Sequence, residues 1–166
     1  MSAAARREHP FEPVYDARSR ILILGSFPSV RSREEGFYYA HPQNRFWRVL
    51  ARLLDRPEPK DIPEKKRMLL DGGIALWDAA RSCEIKGSSD GSISSVIPND
   101  LSPILKKADI KGIYCNGRTA YGIYTASCEP MTGMKAVLLP STSPANAAWS
   151  LDRLTEAWKI ILHEPE

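Results

Sequence analysis

Residues 38–50 read YYAHPQNRFWRVL, setting two tyrosines, an amide pair and an aromatic pair ahead of a helical pattern. Flat rings gathered beside Asn44 suit a pocket that grips a flat heterocycle, by ring stacking and by an amide that can donate and accept. Asn44 also suits a simple cap on the helix that follows. A second stretch, PSTSPANA at 140–147, holds three hydroxyls between two prolines. The prolines limit the conformations the loop must lose on binding. Hydroxyls at the start of a helix fit a phosphodiester, and fit an N-capping turn equally well. GSFPSVRS at 25–32 could present backbone N–H groups and hydroxyls to a phosphate, and is otherwise a polar turn after a strand.

These stretches need elements to hold them. Apolar runs at Arg20–Leu24 (RILIL), Gly73–Trp77 (GIALW), Gly112–Cys115 (GIYC) and Lys135–Leu139 (KAVLL) read as buried strands. Helical patterns cover 45–55, 62–71, the region through Ile104 to Ala108 behind caps at Asn99 and Asp100, 117–127, and 144–162. Phe46, Val49, Leu50, Leu53 and Leu54 recur at helical spacing. Strands alternating with helices imply parallel pairing and right-handed crossovers. The expected architecture is α/β: a three-layer α/β/α sandwich around a central, mostly parallel sheet of about four strands. Ligands in such sheets bind outside the carboxyl ends of the strands. Four polar loops follow the four strands: GSFPSVRS, DAARS (78–82), NGRTA (116–120) and PSTSPANA. All four should line one cleft, with YYAHPQN close by.

The length of 166 residues suits one domain, with residues 1–8 expected to be frayed. No apolar run approaches the roughly 18–20 residues that span a bilayer, and the first residues lack a signal-peptide pattern, so a cytoplasmic protein is expected. Three scattered cysteines (83, 115, 128) argue against a disulfide framework and read as small buried hydrophobes. His9, His41 and His163 lie far apart in sequence, without metal-ligand spacing, and His41 before Pro42 shapes its loop. Neither a protein-bound metal nor a cofactor is expected. A net charge of +3 permits nucleic-acid binding without demanding it. No GxSxG elbow, GxxxxGK[ST] loop or GxGxxG is present.

Taken in order, GSFPS, FYYAHPQNRFW, ALWDAARSCEIKGSSDGSI, NGRTAY and LPSTSPANA resemble blocks of the uracil-DNA glycosylase superfamily, most closely its hypoxanthine-DNA glycosylase branch. The resemblance runs from Arg20 to about Trp158. Two departures stand out. Phe27 replaces the Asp or Asn that positions water in the uracil enzymes, and Leu139 replaces the His of their last motif. The hypoxanthine branch lacks both groups as well.

The resemblance implies metal-independent hydrolysis of an N-glycosidic bond in double-stranded DNA carrying a deaminated base, by a monomer and without a covalent intermediate. On that footing Asn44 and Asn116 are the catalytic candidates, contacting the base or the water. Tyr39 stacks on a flipped base, with Phe27 or Tyr38 as a further wall. Asp78 accepts the N1–H that hypoxanthine has and adenine lacks. Ser26, Ser29, Ser141 and Ser143 hold phosphates, and Thr142–Ala145 press into the minor groove. Asp78 and Asn116 also suit turns or caps, and Trp47, Trp77, Trp149 and Trp158 suit the core. Competing readings are a mismatch-type uracil or xanthine DNA glycosylase, a non-catalytic reader of damaged DNA, and a hydrolase of free nucleosides.

Overall fold

The computed structural model describes residues 5–85 and 93–163. Its centre is a four-stranded parallel sheet in the order β3-β2-β6-β7. The strands are β2 (Ile21–Gly25), β3 (Ile74–Asp78), β6 (Gly112–Asn116) and β7 (Ala136–Leu139). Alternation along β2 builds two cores. Ile21 and Ile23 face one cluster with Phe46, Trp47, Leu50, Leu69, Leu154 and Trp158. Leu22 and Leu24 face the other with Ile104, Ile113, Cys115, Ala120 and Tyr124. A strand buried on both faces must be apolar at every position, which is why RILIL reads as a continuous run.

The first core packs α2 (Phe46–Leu53), α3 (Ile62–Asp71) and α7 (Leu151–Trp158) on one face of the sheet. The second packs α4 (Ser102–Lys107), α5 (Arg118–Ile123) and the π-helical turn Tyr124–Cys128 on the other. A short α6 (Glu129–Thr132) follows that turn, and α1 (Val30–Glu35) lies between β2 and the aromatic stretch. The expected α/β/α sandwich is therefore present. Among the described residues no helix is long and apolar enough to cross a membrane.

A second sheet departs from the sequence reading. β1 (Ala5–Glu8), β4 (Ala80–Ile85) and β5 (Ser94–Pro98) form a three-stranded antiparallel sheet in the order β1-β4-β5. Ala5–Glu8 are thus paired with β4 rather than frayed, while residues 1–4 lie outside the described residues. The Arg6 guanidinium fastens β1 by donating to the Ser82 hydroxyl at 2.7 Å and to the Ser95 carbonyl at 2.6 Å. Residues 86–92, part of the ALWDAARSCEIKGSSDGSI block, also lie outside the described residues.

β4 starts two residues after β3 ends, so the chain leaves one sheet and enters the other at Ala79. Asn99 holds that crossing. Its amide donates to the carbonyls of Asp78 at 2.8 Å and Ala80 at 3.2 Å. Of the two expected caps, Asn99 is spent on this crossing, while Asp100 accepts from the Ser102 N–H, the first of α4, at 3.0 Å, with Leu101 at the N-cap position. The other helix to differ is the last. Residues 144–150 are loop, and α7 begins at Leu151 behind the Ser150 cap.

Candidate functional site

Parallel register brings four strand ends to one line. Gly25 pairs with Asp78, and Asn116 with Leu139. These residues, with the loops after β2, β6 and β7 and the stretch Tyr38–Asn44, enclose a cleft of about 1060 Å³. Asn44, Asn116, Phe27, Tyr39, Asp78, Ser26, Ser29, Ser141, Thr142 and Ser143 all line it.

The two tyrosines divide their duties. Tyr38 is buried, donates its hydroxyl to the Glu12 carbonyl at 2.8 Å, and belongs to the core. Burial, with the nearby Asp78 charge adding to it, pushes its phenol far above the ordinary range. Tyr39 takes a left-handed backbone, φ 52°, that bulky residues rarely adopt. One face of its ring stacks on Phe46, with centroids 4.1 Å apart. Tyr39 is thus backed by the core where it lines the cleft. Phe27, nearly buried, packs on Ala80, Cys83 and Ile85, with the Arg33 guanidinium 5.8 Å from its ring centre.

The two amides are joined through one hydroxyl. Thr142 donates its hydroxyl to Asn44 Oδ1 at 2.8 Å and accepts on Oγ1 from Asn116 Nδ2 at 3.0 Å. Backbone donors fix which end of each amide is oxygen. The Phe46 N–H meets Asn44 Oδ1 at 3.0 Å, and the Thr142 N–H meets Asn116 Oδ1 at 3.0 Å. A backbone N–H can only be met by the carbonyl end, so neither amide can be flipped. Asn44 Oδ1 then has both lone pairs occupied, leaving its NH2 as the group Asn44 can offer the cleft. Asn116 keeps one lone pair and one N–H. Asn44 therefore meets the first N–H of α2 as a cap does, just ahead of the N-cap position at Arg45, and also presents a fixed donor to the cleft.

Thr142 differs from its expected role. It is 0% exposed, and its hydroxyl is committed to the two amides. It cannot reach a phosphate or a minor groove, whereas Pro144 and Ala145 beyond it are exposed. The serines also separate. Ser29 caps α1 and donates its hydroxyl to Ser32 Oγ at 3.2 Å. Ser141 and Ser143 accept on Oγ from the N–H groups of Ser143 and Ala145, both at 3.1 Å. Their hydroxyl protons have no acceptor among the described residues and remain available to an anion. Ser26 is nearly buried, at the end of β2.

Arg45 explains why 144–150 is loop. Its guanidinium donates to the carbonyls of Trp149, of Ser143 at 2.9 Å and of Asn146 at 3.0 Å, and its backbone N–H reaches the Thr142 carbonyl at 3.1 Å. The Ser143 and Asn146 carbonyls also accept from the N–H groups three residues on, at 3.0 and 3.2 Å, so the segment closes into turns gathered on one cation. No carboxylate pairs with Arg45 among the described residues, so its charge stays beneath the serine loop. No helix starts at Pro144, and the half-buried Arg45 guanidinium is the positive charge that lies beneath this loop instead. Trp149, expected in the core, is half-buried at the cleft rim under the Arg153 guanidinium, 4.0 Å from its ring centre.

Asp78 is 3% exposed, and its Oδ2 lies 2.8 Å from His9 Nε2. His9 was not foreseen at the site, since 69 residues separate it from Asp78 and no local pattern marks it. His41 is exposed and accepts on Nδ1 from the Gln43 N–H at 3.1 Å, which shapes its loop. Burial pushes the Cys115 thiol up to about 12 and the Cys128 thiol up to about 11, so neither supplies a thiolate near neutral pH. Among the described residues no three His, Cys, Asp or Glu side chains gather as a metal would need.

The family model described as the Uracil DNA glycosylase superfamily matches residues 12–162. The chain is 35% identical over 153 residues to a protein of Methanosarcina acetivorans named hypoxanthine DNA glycosylase, covering 91% of this chain and 95% of that one. A protein of the same name from Methanosarcina barkeri is 32% identical over 143 residues, covering 84% and 89%. The fold matches, with a TM-score of 0.79 and 32% identity, the solution NMR structure of a Methanosarcina acetivorans protein provisionally assigned as a uracil DNA glycosylase, covering 93% of this chain and 96% of that one.

Proposed function

Because the chain belongs to the uracil DNA glycosylase superfamily, we propose that it releases hypoxanthine from deoxyinosine in double-stranded DNA, acting as a monomer. The two relatives named for hypoxanthine support the choice of base. The observation that carries the reading is the pair of fixed polar groups in the cleft: a carboxylate oxygen on Asp78 and an amide NH2 on Asn44.

The target base leaves the stack, and weakened pairing of a deaminated base lowers that cost. Tyr39 stacks on it, a contact worth about 1–3 kcal/mol. Asp78 accepts its N1–H, which adenine lacks. As the bond from C1′ to N9 breaks, the electron pair leaves with the purine. The Asn44 NH2 donates to that developing charge. Asn116, with one lone pair and one N–H left, holds the water whose oxygen bonds to C1′. One proton of that water ends on the purine and the other on the new hydroxyl. Neither amide is a strong base, which suits an oxocarbenium-like state that asks little of the water. Ser141 and Ser143 donate to phosphates flanking the flipped nucleotide, over the Arg45 charge.

Thr142→Val tests the link between the amides. Valine keeps the shape and removes the hydroxyl, so Asn44 and Asn116 each lose a partner. Base release should fall about ten- to a hundredfold with a drop of only a few degrees in Tm. Unchanged release would mean the amides orient without it.

The function itself is tested by single-turnover release from duplexes carrying one hypoxanthine, xanthine or uracil, with EDTA present. Hypoxanthine release is expected. Xanthine shares the N1–H that Asp78 would accept, so some xanthine release fits the same site. Release of uracil alone would overturn the reading. Tight binding to the hypoxanthine duplex with no release from any substrate would make the protein a non-catalytic reader of damage.

A further inference from the structure

His9 follows β1 and belongs to neither strand end nor loop of the parallel sheet, yet its ring meets Asp78, which lines the cleft. Its ring is enclosed by those of Phe11, Phe27, Tyr38 and Trp77, with centroids 4.8, 6.0, 6.0 and 6.3 Å away. Its Nδ1 lies 2.8 Å from the Phe11 carbonyl and its Nε2 lies 2.8 Å from Asp78 Oδ2. Both side chains are almost wholly buried, 3% and 4% exposed.

The proton positions follow from the partners. A carbonyl only accepts, so Nδ1 carries a proton. The contact between Nε2 and Oδ2 then needs a proton of its own, on one atom or the other. In either form that proton sits on the line between Nε2 and Oδ2. Asp78 Oδ1 is bare in both. Oδ1 has no hydrogen-bond partner among the described residues, and it occupies the space above Gly25 at the cleft floor, 2.3 Å from where a Cβ there would sit.

We propose that His9 is a specificity-determining positioning residue: it anchors Oδ2 so that Oδ1 can only accept, which admits a ring N–H and refuses the bare N1 of adenine. The inference rests on the reading that Asp78 contacts the flipped base. A carboxyl buried without such a donor is driven toward its neutral form, and a neutral carboxyl can donate as well as accept. Without His9, Asp78 could donate to adenine N1, and the two bases would be told apart less well.

The experiment compares hypoxanthine and adenine release under single turnover in wild type, His9→Gln, His9→Leu, Asp78→Asn and the double variant His9→Leu/Asp78→Asn. Gln can donate to Oδ2 from its amide, so His9→Gln should hold the hypoxanthine-to-adenine ratio within about threefold. His9→Leu should lower that ratio roughly ten- to a hundredfold, the range set by one misassigned buried hydrogen bond. In the Asp78→Asn background the same change should move the ratio less than about twofold, since no carboxyl remains to anchor. An unchanged ratio in His9→Leu, or equal shifts in both backgrounds, would overturn the proposal. Nitrogen-15 spectra of the wild-type ring provide a check that needs no variant. Protons on the Nδ1 and Nε2 hydrogen bonds are expected, and a bare Nδ1 would overturn the proposal. Absence of hypoxanthine release from wild type would sink the functional reading, while the spectra would still decide whether His9 anchors Asp78.

Discussion

Asn44→Asp keeps the fold and loses base release by about a hundred- to a thousandfold, the usual cost of removing one donor aimed at developing charge. The aspartate presents the same oxygen to the Phe46 N–H and the Thr142 hydroxyl, so the cap on α2 and the link to Asn116 survive. The NH2 alone is lost. This separates two roles that Asn44→Ala would confuse, because alanine also removes a cap worth about 1 kcal/mol. If Asn44 held the water, a carboxylate would hold it better, and release would stay level or rise. If Asn44 supports the departing purine, a carboxylate repels that charge. Single-turnover release from a hypoxanthine duplex, with a melting curve alongside, decides between them. A rate at or above wild type would transfer Asn44 to the water and leave Asn116 without its assigned task.

The parallel sheet was legible in the sequence because β2, β3 and β6 are buried almost throughout and so must be apolar, while β7 at the sheet edge reads as apolar although Leu138 is exposed. RILIL, GIALW and GIYC announce themselves for that reason, and the loops after β2, β6 and β7 do share one cleft, whereas DAARS after GIALW turns into β4 at Ala80 and gives the cleft only Asp78. The antiparallel sheet was hidden by the converse. β1 reads ARRE and β4 reads ARSCEI, with no apolar alternation to mark them. Pairing between distant segments, together with Arg6 across Ser82 and Ser95, makes them strands. The helix expected from Pro144 failed on a similar long-range cause. Local pattern favoured continuation, but the Arg45 guanidinium, 98 residues before Ser143, draws the loop carbonyls to itself. Thr142 looked like a surface hydroxyl in a serine-rich turn, and only the meeting of Asn44 and Asn116 shows why it is buried. His9 had no signal at all, since its role exists only where β1 carries it to Asp78.

Gly25→Ala should cost about a thousandfold in base release while leaving DNA binding near wild type. The residue ends β2 with a backbone that alanine adopts without strain, so the effect comes from space alone. A Cβ there would stand 2.3 Å from Asp78 Oδ1 and 2.7 Å from the Tyr39 hydroxyl. Asp78 cannot retreat easily, because its other oxygen is held by His9 and its carbonyl by Asn99. Tyr39 is pinned against Phe46 and already sits in a left-handed backbone. One methyl therefore displaces both of the groups assigned to the base. A hydrogen bond left unmade costs about 1–3 kcal/mol, and a lost stack about as much again. The middle of that combined range is near a thousandfold in rate. Overpacking should also lower stability, by about 1–3 kcal/mol. Gly122→Ala is the matched control, since a Cβ there meets nothing within 4 Å. Ser141 and Ser143, proposed to meet phosphates, are not among the groups that a Gly25 Cβ meets, so affinity for duplex should persist in Gly25→Ala and keep its salt dependence. Full base release in a folded Gly25→Ala protein would mean that neither Asp78 Oδ1 nor the Tyr39 ring meets the flipped base, and the pocket would have to be sought nearer Trp149 and the serine loop.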